Sequence, residues 1–493
     1  MNKPGLFKLL IFFIISLGVL LSVYQFLYNR SLWNDEATLS LNIIHKSPAK
    51  LLKPLDLAQV APLLFLEIEH FTFYFISGTE YGLRLFPLLS FIASIFFLYQ
   101  ILKIVFKNRS THIFALSLFV FNSVLLYYSS EVKQYMSDVL VANMLYYCLI
   151  KTYKRDFNRY VTLAIVGAVS IFLSNISIII LFTFGLYLIF DSYKKKAWHP
   201  GITYVFLTWS ITFGIYYFSF ILNHPTRDYM VGYWSREQAF LPLNPLSRSF
   251  YLFLFAKSQM VFYFLFGYGS LGKIFFPLLF LTGIFNLYSR KAFGSIMLIT
   301  LPIMVHLALS GLKMYPFDKR LILYLYPIFI IAIAFGFDLC RVKLAGIVKP
   351  KVLAKLAAVV VVIPIYFCSF VYFNSFPMVH TEIKQSINFI KSRLEDNQRV
   401  YVYYDLVPAF TYYNQTRFMN LKNPVTYGFY DPDRNNYINQ LKLLKGKNWL
   451  LLSYEGTDAE KFIIGTLDKL KYKKIESYTF GGASAYLYDF GNQ

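Results

Sequence analysis

Long apolar runs separated by short polar segments dominate the chain up to about residue 377. Most of these runs are about 17–25 residues long, which is the length of helix that crosses the apolar core of a bilayer. The first run, 9–28, is too long for the core of a signal peptide and is not followed by a small-residue cleavage site. We therefore interpret it as a retained span, and the pattern as that of a polytopic α-helical membrane protein.

Eleven spans follow from the apolar runs, and the pattern also allows twelve or thirteen. With the N-terminus inside, they are predicted at 9–28, 84–103, 111–128, 138–150, 160–174, 176–191, 202–222, 274–288, 293–310, 321–338 and 356–375. Alternate ends of these spans are expected to face the outer side, so polar segments that carry few basic residues are assigned there.

Two stretches do not fit this alternation. Residues 47–77 are punctuated by Pro and contain three polar side chains that a span would bury, Glu67, Glu69 and His70. We expect this stretch to lie along the outer interface. Residues 250–267 contain Lys257, and a full crossing there places two later basic segments on opposite sides. We interpret this second stretch as re-entrant or interfacial.

Basic residues lie in the short segments between spans. The chain has 48 Lys and Arg against 26 Asp and Glu, a formal net charge of +22. The basic clusters stand at 107–109, 151–159, 192–198, 289–291 and 341–355. This distribution follows the positive-inside rule, so the charge indicates topology and not nucleic-acid binding. The alternative is that the clusters bind anionic lipid headgroups.

Beyond about residue 378 the apolar runs give way to charged and turn-forming residues. An apolar stripe at helical spacing predicts a helix formed by Ile383, Ile387, Ile390 and Leu394, with Thr381 as N-cap. Short runs rich in Tyr and Leu predict strands at 399–405, 448–454 and 483–490. We therefore expect a transmembrane domain, 1–377, and a small extracytoplasmic α/β domain, 378–493.

Four groups of polar residues fall at the predicted outer boundary of the membrane. They are Asp35 with Glu36; Gln59 with Arg84; Glu131 with Lys133, Tyr135 and Asp138; and Lys319 with Arg320 in the segment 313–320. Most later spans carry no ionisable residue in their middles, with His306 as an exception near one span end. The chemistry is therefore expected at the outer interface.

A carboxylate beside basic residues at a partly dehydrated boundary combines a general base with a phosphate clamp. Desolvation raises the pKa of such a carboxylate and cations lower it, so it can accept a proton near neutral pH. Arg and Lys can hold a phosphate, Arg through two parallel hydrogen bonds. The combination suits transfer from a phosphate-linked donor. A single carboxylate then deprotonates the acceptor hydroxyl in an inverting displacement while the cations stabilise the leaving phosphate.

Each polar group also has a purely structural interpretation. Asp35 and Glu36 form a solvated span end, Glu131 and Lys133 an interfacial ion pair of little energetic value, residues 313–320 a turn, and Arg84 a snorkelling side chain. The coincidence of all four groups at one boundary favours the functional interpretation.

At these residues the sequence resembles the bacterial family 39 group of GT-C glycosyltransferases, which is related to protein O-mannosyltransferases and aminoarabinose lipid A transferases. The matching segments are WNDEA at 33–37, QVAPLLFLEIEH at 59–70, GTEYGLRLFPLL at 78–89, YYSSEVKQYMSDVL at 127–140 and YPFDKRLILYLYP at 315–327. Residues 1–140 carry most of the resemblance. Many relatives have a charged residue or His before a Pro-Pro pair where this chain has Gln59 to Pro62.

The resemblance implies a GT-C fold, a polyprenyl-phosphate-linked sugar donor, and an active site on the outer face of the bacterial inner membrane. By that analogy Asp35 is the catalytic base, Glu36 supports it, and Glu131 belongs to a second acidic motif. The substrate-binding candidates are Arg84, Lys319 and Arg320 for the carrier phosphate, with Lys133, Tyr135, Asp138 and Gln59. The acceptor hydroxyl is expected on a protein, a lipid or a glycan, and membrane lipids are expected partners.

The resemblance implies no obligatory cofactor. Paired acids are ligands that Mg²⁺ or Mn²⁺ can use, so a divalent cation remains an alternative. The His residues lack ligand spacing, and the cysteines lie within or at the ends of apolar runs. No His or Cys metal site and no disulfide framework is predicted from Cys148, Cys340 and Cys368.

Two other classes of protein are alternatives for a polytopic chain. A transporter or flippase of a lipid-linked glycan precursor tends to place broken helices or ionisable groups near the bilayer midplane, often in repeated halves, and neither pattern stands out here. A scaffold without catalysis, which only presents the C-terminal domain, is the other alternative. The intact acidic motifs argue against it.

The predicted topology places the acidic loop and the C-terminal domain on the same outer side. In a cysteine-free background, single cysteines at positions 34 and 440 should react with a membrane-impermeant thiol reagent added outside, because the basic loops hold the opposite ends inside. A cysteine at position 153 should react only after the membrane is opened. Labelling of position 153 in sealed cells, with position 34 protected, contradicts the topology.

Overall fold

A computed structural model describes residues 3–267, 269–347, 376–416, 421–431, 433, 435–453 and 459–491. The chain divides into two compact units. The first comprises Met1–Leu27, Pro48–Ile76 and Arg84–Phe376, and the second comprises Tyr28–Ser47, Ser77–Leu83 and Pro377–Gln493. This division differs from the predicted domains at 28–47 and 77–83, which pack with the C-terminal part of the chain.

Helices follow one another with short connections through most of the chain. They are α1 (Lys3–Tyr28), α2 (Asn34–His45), α3 (Pro48–Leu51), α4 (Leu63–Phe75), α5 (Glu80–Val105), α6 (Arg109–Val120), α7 (Ser123–Tyr128), α8 (Tyr135–Lys151), α9 (Phe157–Leu173), α10 (Ser177–Lys195), α11 (Pro200–Tyr216), α12 (Arg227–Arg236), α13 (Arg248–Phe266), α14 (Gly269–Ser289), α15 (Phe293–Gly311) and α16 (Tyr326–Ala345). A turn of 3₁₀-helix, Lys319–Leu325, leads into α16.

Within the described residues, 8 helices are long and apolar enough to cross a membrane. They are Phe7–Tyr28, Glu80–Val105, Ser177–Lys195, Pro200–Ile221, Arg248–Phe266, Gly272–Ser289, Phe293–Gly311 and Lys319–Ala345. The prediction of a polytopic helical membrane protein is thereby confirmed. The predicted spans at 138–150 and 160–174 correspond to the shorter helices α8 and α9. The predicted span at 356–375 lies outside the described residues.

The predicted span 111–128 is two helices, because Asn122 interrupts it. The Asn122 side chain accepts a hydrogen bond from the Leu125 amide at 2.9 Å and so caps α7. Its amide nitrogen donates to the Leu265 carbonyl and to the Tyr326 hydroxyl, at 2.5 and 2.9 Å. An Asn side chain that bonds backbone groups competes with continuation of a helix.

The segment 250–267 also differs from its prediction. It forms most of α13, a continuous helix of 19 residues with no break of the kind a re-entrant segment has. Lys257, which motivated the prediction, is one of two ionisable residues in this helix, and its ammonium lies 3.4 Å from the Asp318 carboxylate. The Lys257 charge therefore has a partner within the first unit, and the helix is long and apolar enough to cross a membrane.

Helices α14 and α16 approach each other unusually closely. A Cβ on Gly283 would lie 1.9 Å from the Ala332 carbonyl oxygen, and one on Gly336 would lie 2.0 Å from that of Leu279. Glycine at both contact points allows the two backbones to touch, as small residues do between membrane helices. Asn286 adds a hydrogen bond across the contact, donating to the Phe335 carbonyl at 2.9 Å. This contact anchors the helix that follows the predicted phosphate-binding segment.

The second unit is built on one five-stranded sheet with the order β2-β1-β3-β5-β4. Its strands are β1 (Arg399–Val402), β2 (Val425–Tyr427), β3 (Lys447–Ser453), β4 (Lys473–Phe480) and β5 (Ala483–Asp489), and its later helices are α17 (Ile383–Lys391), α18 (Val407–Gln415), α19 (Asn435–Lys442) and α20 (Ala459–Lys469). Strand β1 pairs in parallel with β2 and β3, whereas β5 pairs antiparallel with β3 and β4. The small C-terminal α/β part of the predicted fold is confirmed.

The three predicted strands are β1, β3 and β5, whose residues are mostly buried. Strands β2 and β4 were not predicted, since β2 has three residues and most of β4 is exposed and polar. The predicted helix is α17, and its Ile383, Ile387 and Ile390 are buried. It begins after Glu382 and not after Thr381, so the predicted N-cap is wrong by one residue.

Residues 28–47, which include helix α2, pack against the C-terminal part of the second unit. Trp33 stacks on His380 with 4.5 Å between ring centroids. The Leu32 amide donates to the Tyr413 hydroxyl at 2.7 Å, and the Asn34 amide nitrogen donates to Asp405 at 2.6 Å. These contacts hold the three residues just before the acidic pair to the sheet domain, so this segment is not a freely solvated span end.

Glu69 is a buried carboxyl in α4, a helix outside the candidate spans. Its side chain is fully buried, and neither carboxyl oxygen has a hydrogen-bond partner among the described residues. Burial raises the pKa of Glu69 well above its ordinary value, because removal from water disfavours the charged form. The pKa of Glu67, on the same helix, is also raised, because its partial burial outweighs the opposing effect of the nearby His70.

We expect the stability of the protein to fall as pH rises above the ordinary pKa of Glu69. The folded state keeps a proton there that the unfolded chain releases, at a cost of up to about 1.4 kcal/mol per pH unit. Glu69→Gln removes this cost, so in thermal unfolding the variant should match the parent near pH 5 and exceed it at pH 8. Glu67→Gln, as control, should change the pH dependence less. Identical pH curves for the parent and Glu69→Gln contradict this assignment.

Candidate functional site

Asp35 lies in the first turn of α2, where a helix offers unpaired backbone amides and a partial positive charge. Trp33 stands before the helix in an extended conformation and does not cap it with its side chain. The Asp35 side chain is half-buried, whereas that of its neighbour Glu36 is completely buried. Successive residues of a helix point in different directions, so the two carboxylates have different surroundings.

Glu36 is the acceptor in a buried ion pair. Its carboxylate lies 2.6 Å from an Arg30 guanidinium nitrogen, and both side chains are fully buried. A charge removed from water to this extent requires a partner of opposite sign. Glu36 therefore forms a buried structural contact between α2 and the residues before it. Arg30 was not predicted, because a basic residue just after a span has the same appearance as any flanking charge.

In the first unit, Lys133 and Gln59 meet across the fold. The Lys133 ammonium donates to the Gln59 side-chain oxygen at 2.6 Å, although the two residues are 74 positions apart. Lys133 is almost completely buried. The segment between α7 and α8, which contains Glu131 and Lys133, is tightly turned, with the Lys133 amide donating to the Glu131 carbonyl at 2.7 Å. Two predicted groups are thereby joined into one.

A second group of predicted site residues lies around Tyr128, at the end of α7. Its ring packs edge-on against Tyr135, with 5.3 Å between centroids. The Arg320 guanidinium lies 5.6 Å from the centroid of the same Tyr135 ring, within the range of a cation–π contact. Both Glu131 and Arg320 act electrostatically on the Tyr128 phenol. The structure thus brings Arg320 close to Tyr135 and to the neighbouring Glu131, both of which are far from it in the sequence.

Three other predicted residues have distinct settings in the same unit. Asp138 accepts a hydrogen bond from the Ser174 hydroxyl at 2.6 Å, and both residues are buried. Arg84 is buried within α5, with a relative exposure of 1%, so it does not snorkel to the surface. Lys319 is exposed, and its backbone amide is held at 2.9 Å by the Asp318 carboxylate.

The predicted site residues are divided between the two units. Asp35 and Glu36 belong to the second unit, and the remaining predicted residues belong to the first. Within the first unit, direct contacts join Gln59 to Lys133 and Arg320 to Tyr135. Ser174 was not predicted as a partner of Asp138. Among the described residues, no group of three or more His, Cys, Asp and Glu is placed to hold a metal ion.

No protein-family model matches the chain, and a search of curated proteins found no match. Two solved structures match it over almost its whole length, both of ArnT from Cupriavidus metallidurans, one bound to undecaprenyl phosphate and one in the apo state. In each case the TM-score is 0.55, the identity is 10%, and the match covers 99% of this chain and 98% of that chain. The chain therefore has a fold similar to that of ArnT, which agrees with the fold that the resemblance implies.

The buried Arg30–Glu36 pair predicts effects of different size on stability for two adjacent substitutions. Glu36→Gln leaves the Arg30 guanidinium buried without its carboxylate, so it should lower the free energy of unfolding by about 3–5 kcal/mol. Asp35→Asn, the matched control one residue away, should change it by less than about 1 kcal/mol, because that side chain is half-exposed. Denaturant or thermal unfolding in detergent measures both. Equal losses in the two variants contradict the structural role of Glu36.

Proposed function

We propose that the protein is a glycosyltransferase that moves a sugar from a polyprenyl-phosphate-linked donor to an acceptor hydroxyl. The whole-length likeness in fold to a protein solved with undecaprenyl phosphate bound is the observation that carries this proposal. The acidic and basic residues at span ends support it, since they supply the two chemical functions that such a transfer needs. Fold alone does not define an activity, so the individual side chains carry the rest of the argument.

The carrier phosphate is assigned to Arg84, Lys319 and Arg320. Arg84 is buried, and a guanidinium there can bind phosphate through two parallel hydrogen bonds in a site of low dielectric. Lys319 and Arg320 begin the turn that leads into α16, with Lys319 exposed. Lys133, Gln59 and Tyr135, which contact one another or Arg320, are assigned to the sugar and its phosphate linkage.

Asp35 is assigned as the general base. Its neighbour Glu36 is completely buried and paired with Arg30, whereas Asp35 is partly exposed in the first turn of a helix. A carboxylate in that position can take the proton of an acceptor hydroxyl as the hydroxyl attacks the anomeric carbon. Glu131 is assigned to a second acidic position, and Asp138, bonded to Ser174, to the support of the first unit's substrate-binding residues.

The reaction is a single in-line displacement with inversion. The acceptor oxygen forms a bond to the anomeric carbon, the bond from that carbon to the phosphate oxygen breaks, and the acceptor proton passes to Asp35. The leaving polyprenyl phosphate is a weak base and requires no acid partner, unlike the leaving group of ordinary glycoside hydrolysis. Arg and Lys stabilise the negative charge that develops on the phosphate, which is the larger electrostatic contribution.

The acceptor is proposed to be a hydroxyl of a protein, a lipid or a glycan on the outer side of a bacterial inner membrane. The distribution of Lys and Arg supports that sidedness. A divalent cation is not required by the displacement as written, because the basic residues neutralise the phosphate. Transfer in the presence of a chelator would identify a metal-independent reaction.

Asp35→Asn should lower the rate of sugar transfer by roughly 10²–10⁴, because Asn keeps the shape of the side chain but accepts no proton. The measurement is single-turnover transfer from a polyprenyl-phosphate sugar in reconstituted membranes. Donor binding is measured separately, so that a loss of binding is not taken for a loss of chemistry.

The control variant is Glu36→Gln, studied at a temperature at which it remains folded. It should lose less activity per folded molecule than Asp35→Asn. Parental transfer by Asp35→Asn, with Glu36→Gln inactive although folded, reverses the two roles. Movement of an intact lipid-linked sugar across the membrane without transfer would instead identify a flippase.

A further inference from the structure

His306 is a buried polar residue near the end of α15 that the proposed reaction does not use. Its relative exposure is 0%. One ring nitrogen, Nε2, lies 3.0 Å from the Pro316 carbonyl oxygen, and the other, Nδ1, lies 3.0 Å from the Tyr324 hydroxyl. The two partners stand on either side of Asp318, Lys319 and Arg320 in the sequence. We call His306, Pro316 and Tyr324 the clasp.

The hydrogen bonds of the clasp define how His306 is used. A backbone carbonyl only accepts, so Nε2 carries a proton and donates it to Pro316. Nδ1 then accepts from the Tyr324 hydroxyl in the neutral ring. Each of the three members thereby has a donor matched to an acceptor, which is the arrangement that buried polar groups require. The ring joins two points of the chain that lie eight residues apart.

Aromatic rings enclose the clasp. The His306 ring centroid lies 5.2 Å from that of Tyr315, 4.8 Å from that of Phe317 and 5.8 Å from that of Tyr324. Tyr315 and Phe317 flank Pro316 in the sequence, and Tyr324 is itself the second hydrogen-bond partner of the His306 ring. Hydrogen bonds surrounded by apolar rings are not exchanged for bonds to water, so they hold their geometry more firmly than exposed ones.

Further contacts fix the segment on its other sides. The Phe317 amide donates to the Ala239 carbonyl at 2.8 Å, and the Ser310 hydroxyl donates to the same carbonyl at 3.0 Å. Asp318 lies 3.4 Å from the Lys257 ammonium and accepts a hydrogen bond from the Lys319 amide at 2.9 Å. The segment that ends in Lys319 and Arg320 is therefore held from α13, from α15 and from the loop before α13.

We infer that His306 is a positioning residue. Its two hydrogen bonds fix the conformation of the segment 316–324, and so fix the positions from which Lys319 and Arg320 contact the carrier phosphate. The inference rests on the proposed function, which supplies the phosphate. Binding by pre-positioned cations costs little ordering free energy, whereas a loose segment must be ordered when the ligand binds. Loss of the clasp therefore weakens phosphate binding while leaving both cations in the sequence.

The first experiment reads the clasp directly. The protein contains 7 His residues. In protein labelled with ¹⁵N at histidine, the signals that disappear in His306→Gln belong to His306. We expect one protonated nitrogen, correlated as Nε2, and one nitrogen that accepts a hydrogen bond, with the accepting signal shifted in Tyr324→Phe. A protonated Nδ1 with a bare Nε2, or signals that exchange with water, would overturn the inference.

The second experiment measures affinity for undecaprenyl phosphate in nanodiscs. His306→Leu and Tyr324→Phe should each weaken binding about 5- to 20-fold, because each removes part of the clasp and adds ordering of the segment to the cost of binding. His306→Gln retains an amide donor at the position of Nε2 and should recover affinity to within about threefold of the parent. Recovery by Gln distinguishes a specific hydrogen bond from general packing.

The control is Tyr437→Phe. The Tyr437 side chain is buried and its hydroxyl donates to the Asp431 carbonyl at 2.8 Å, so this variant also deletes a buried hydroxyl bonded to a backbone carbonyl. Tyr437 and Asp431 belong to the second unit, whereas the clasp belongs to the first. Tyr437→Phe should lower the unfolding temperature about as much as Tyr324→Phe but leave phosphate affinity unchanged. An equal loss of affinity in both hydroxyl deletions would overturn the inference in favour of general destabilisation.

Two cation variants separate failure of the inference from failure of the proposed function. If Lys319→Gln and Arg320→Gln weaken phosphate binding while His306→Leu does not, the carrier assignment stands and the positioning role is overturned. If neither cation variant nor any clasp variant changes binding, the assignment of the carrier phosphate to this segment is wrong, and the positioning role falls with it. If the cation variants and the clasp variants all weaken phosphate binding, and His306→Gln restores it, both the carrier assignment and the positioning role are supported.

Discussion

Polar groups that leave water inside this protein must find their partners in the protein itself, and the positions of its helix ends depend on that constraint. Asn122 ends one apolar run early because its side chain bonds a backbone amide, a carbonyl and a tyrosine hydroxyl. His306 bonds both sides of the segment that begins α16. The Lys257 ammonium, inside an apolar helix, lies beside Asp318. The breaks between helices are therefore where polar side chains concentrate.

The same constraint separates the roles of two adjacent carboxylates. Glu36 and Arg30 are both removed from water and satisfy each other, so their pair is a structural element of the second unit. Asp35 is partly exposed, and the positive end of a helix lies beside it. A catalytic group must reach a substrate, whereas a buried ion pair must exclude it. The two residue types are nearly equivalent in sequence, and the structure distinguishes them by their burial and by the Arg30 partner of Glu36.

The chain has a fold similar to that of ArnT although the two share only 10% identity over almost the whole chain. Apolar side chains facing lipid are interchangeable, since lipid tails discriminate little among Leu, Ile, Phe and Val. Span length and the placement of polar breaks are much more constrained. A fold of this kind can therefore keep its course through the membrane while most of its residues change, and the few polar residues at helix ends hold most of the functional information.

The apolar pattern by itself determined the class of protein and most span positions, because only about twenty apolar residues in a row can cross a bilayer as a helix. It also determined the three interior strands of the C-terminal sheet, whose apolar residues are contiguous. Tertiary structure decided what depends on partners distant in sequence: Lys133 with Gln59, Asp138 with Ser174, Arg320 with Tyr135, and the break at Asn122. It also assigned the loop 28–47 to the sheet unit through Trp33, Leu32 and Asn34. Local patterns carry information about which residues avoid water, but a hydrogen bond between residues far apart leaves no mark on either segment until the chain is folded.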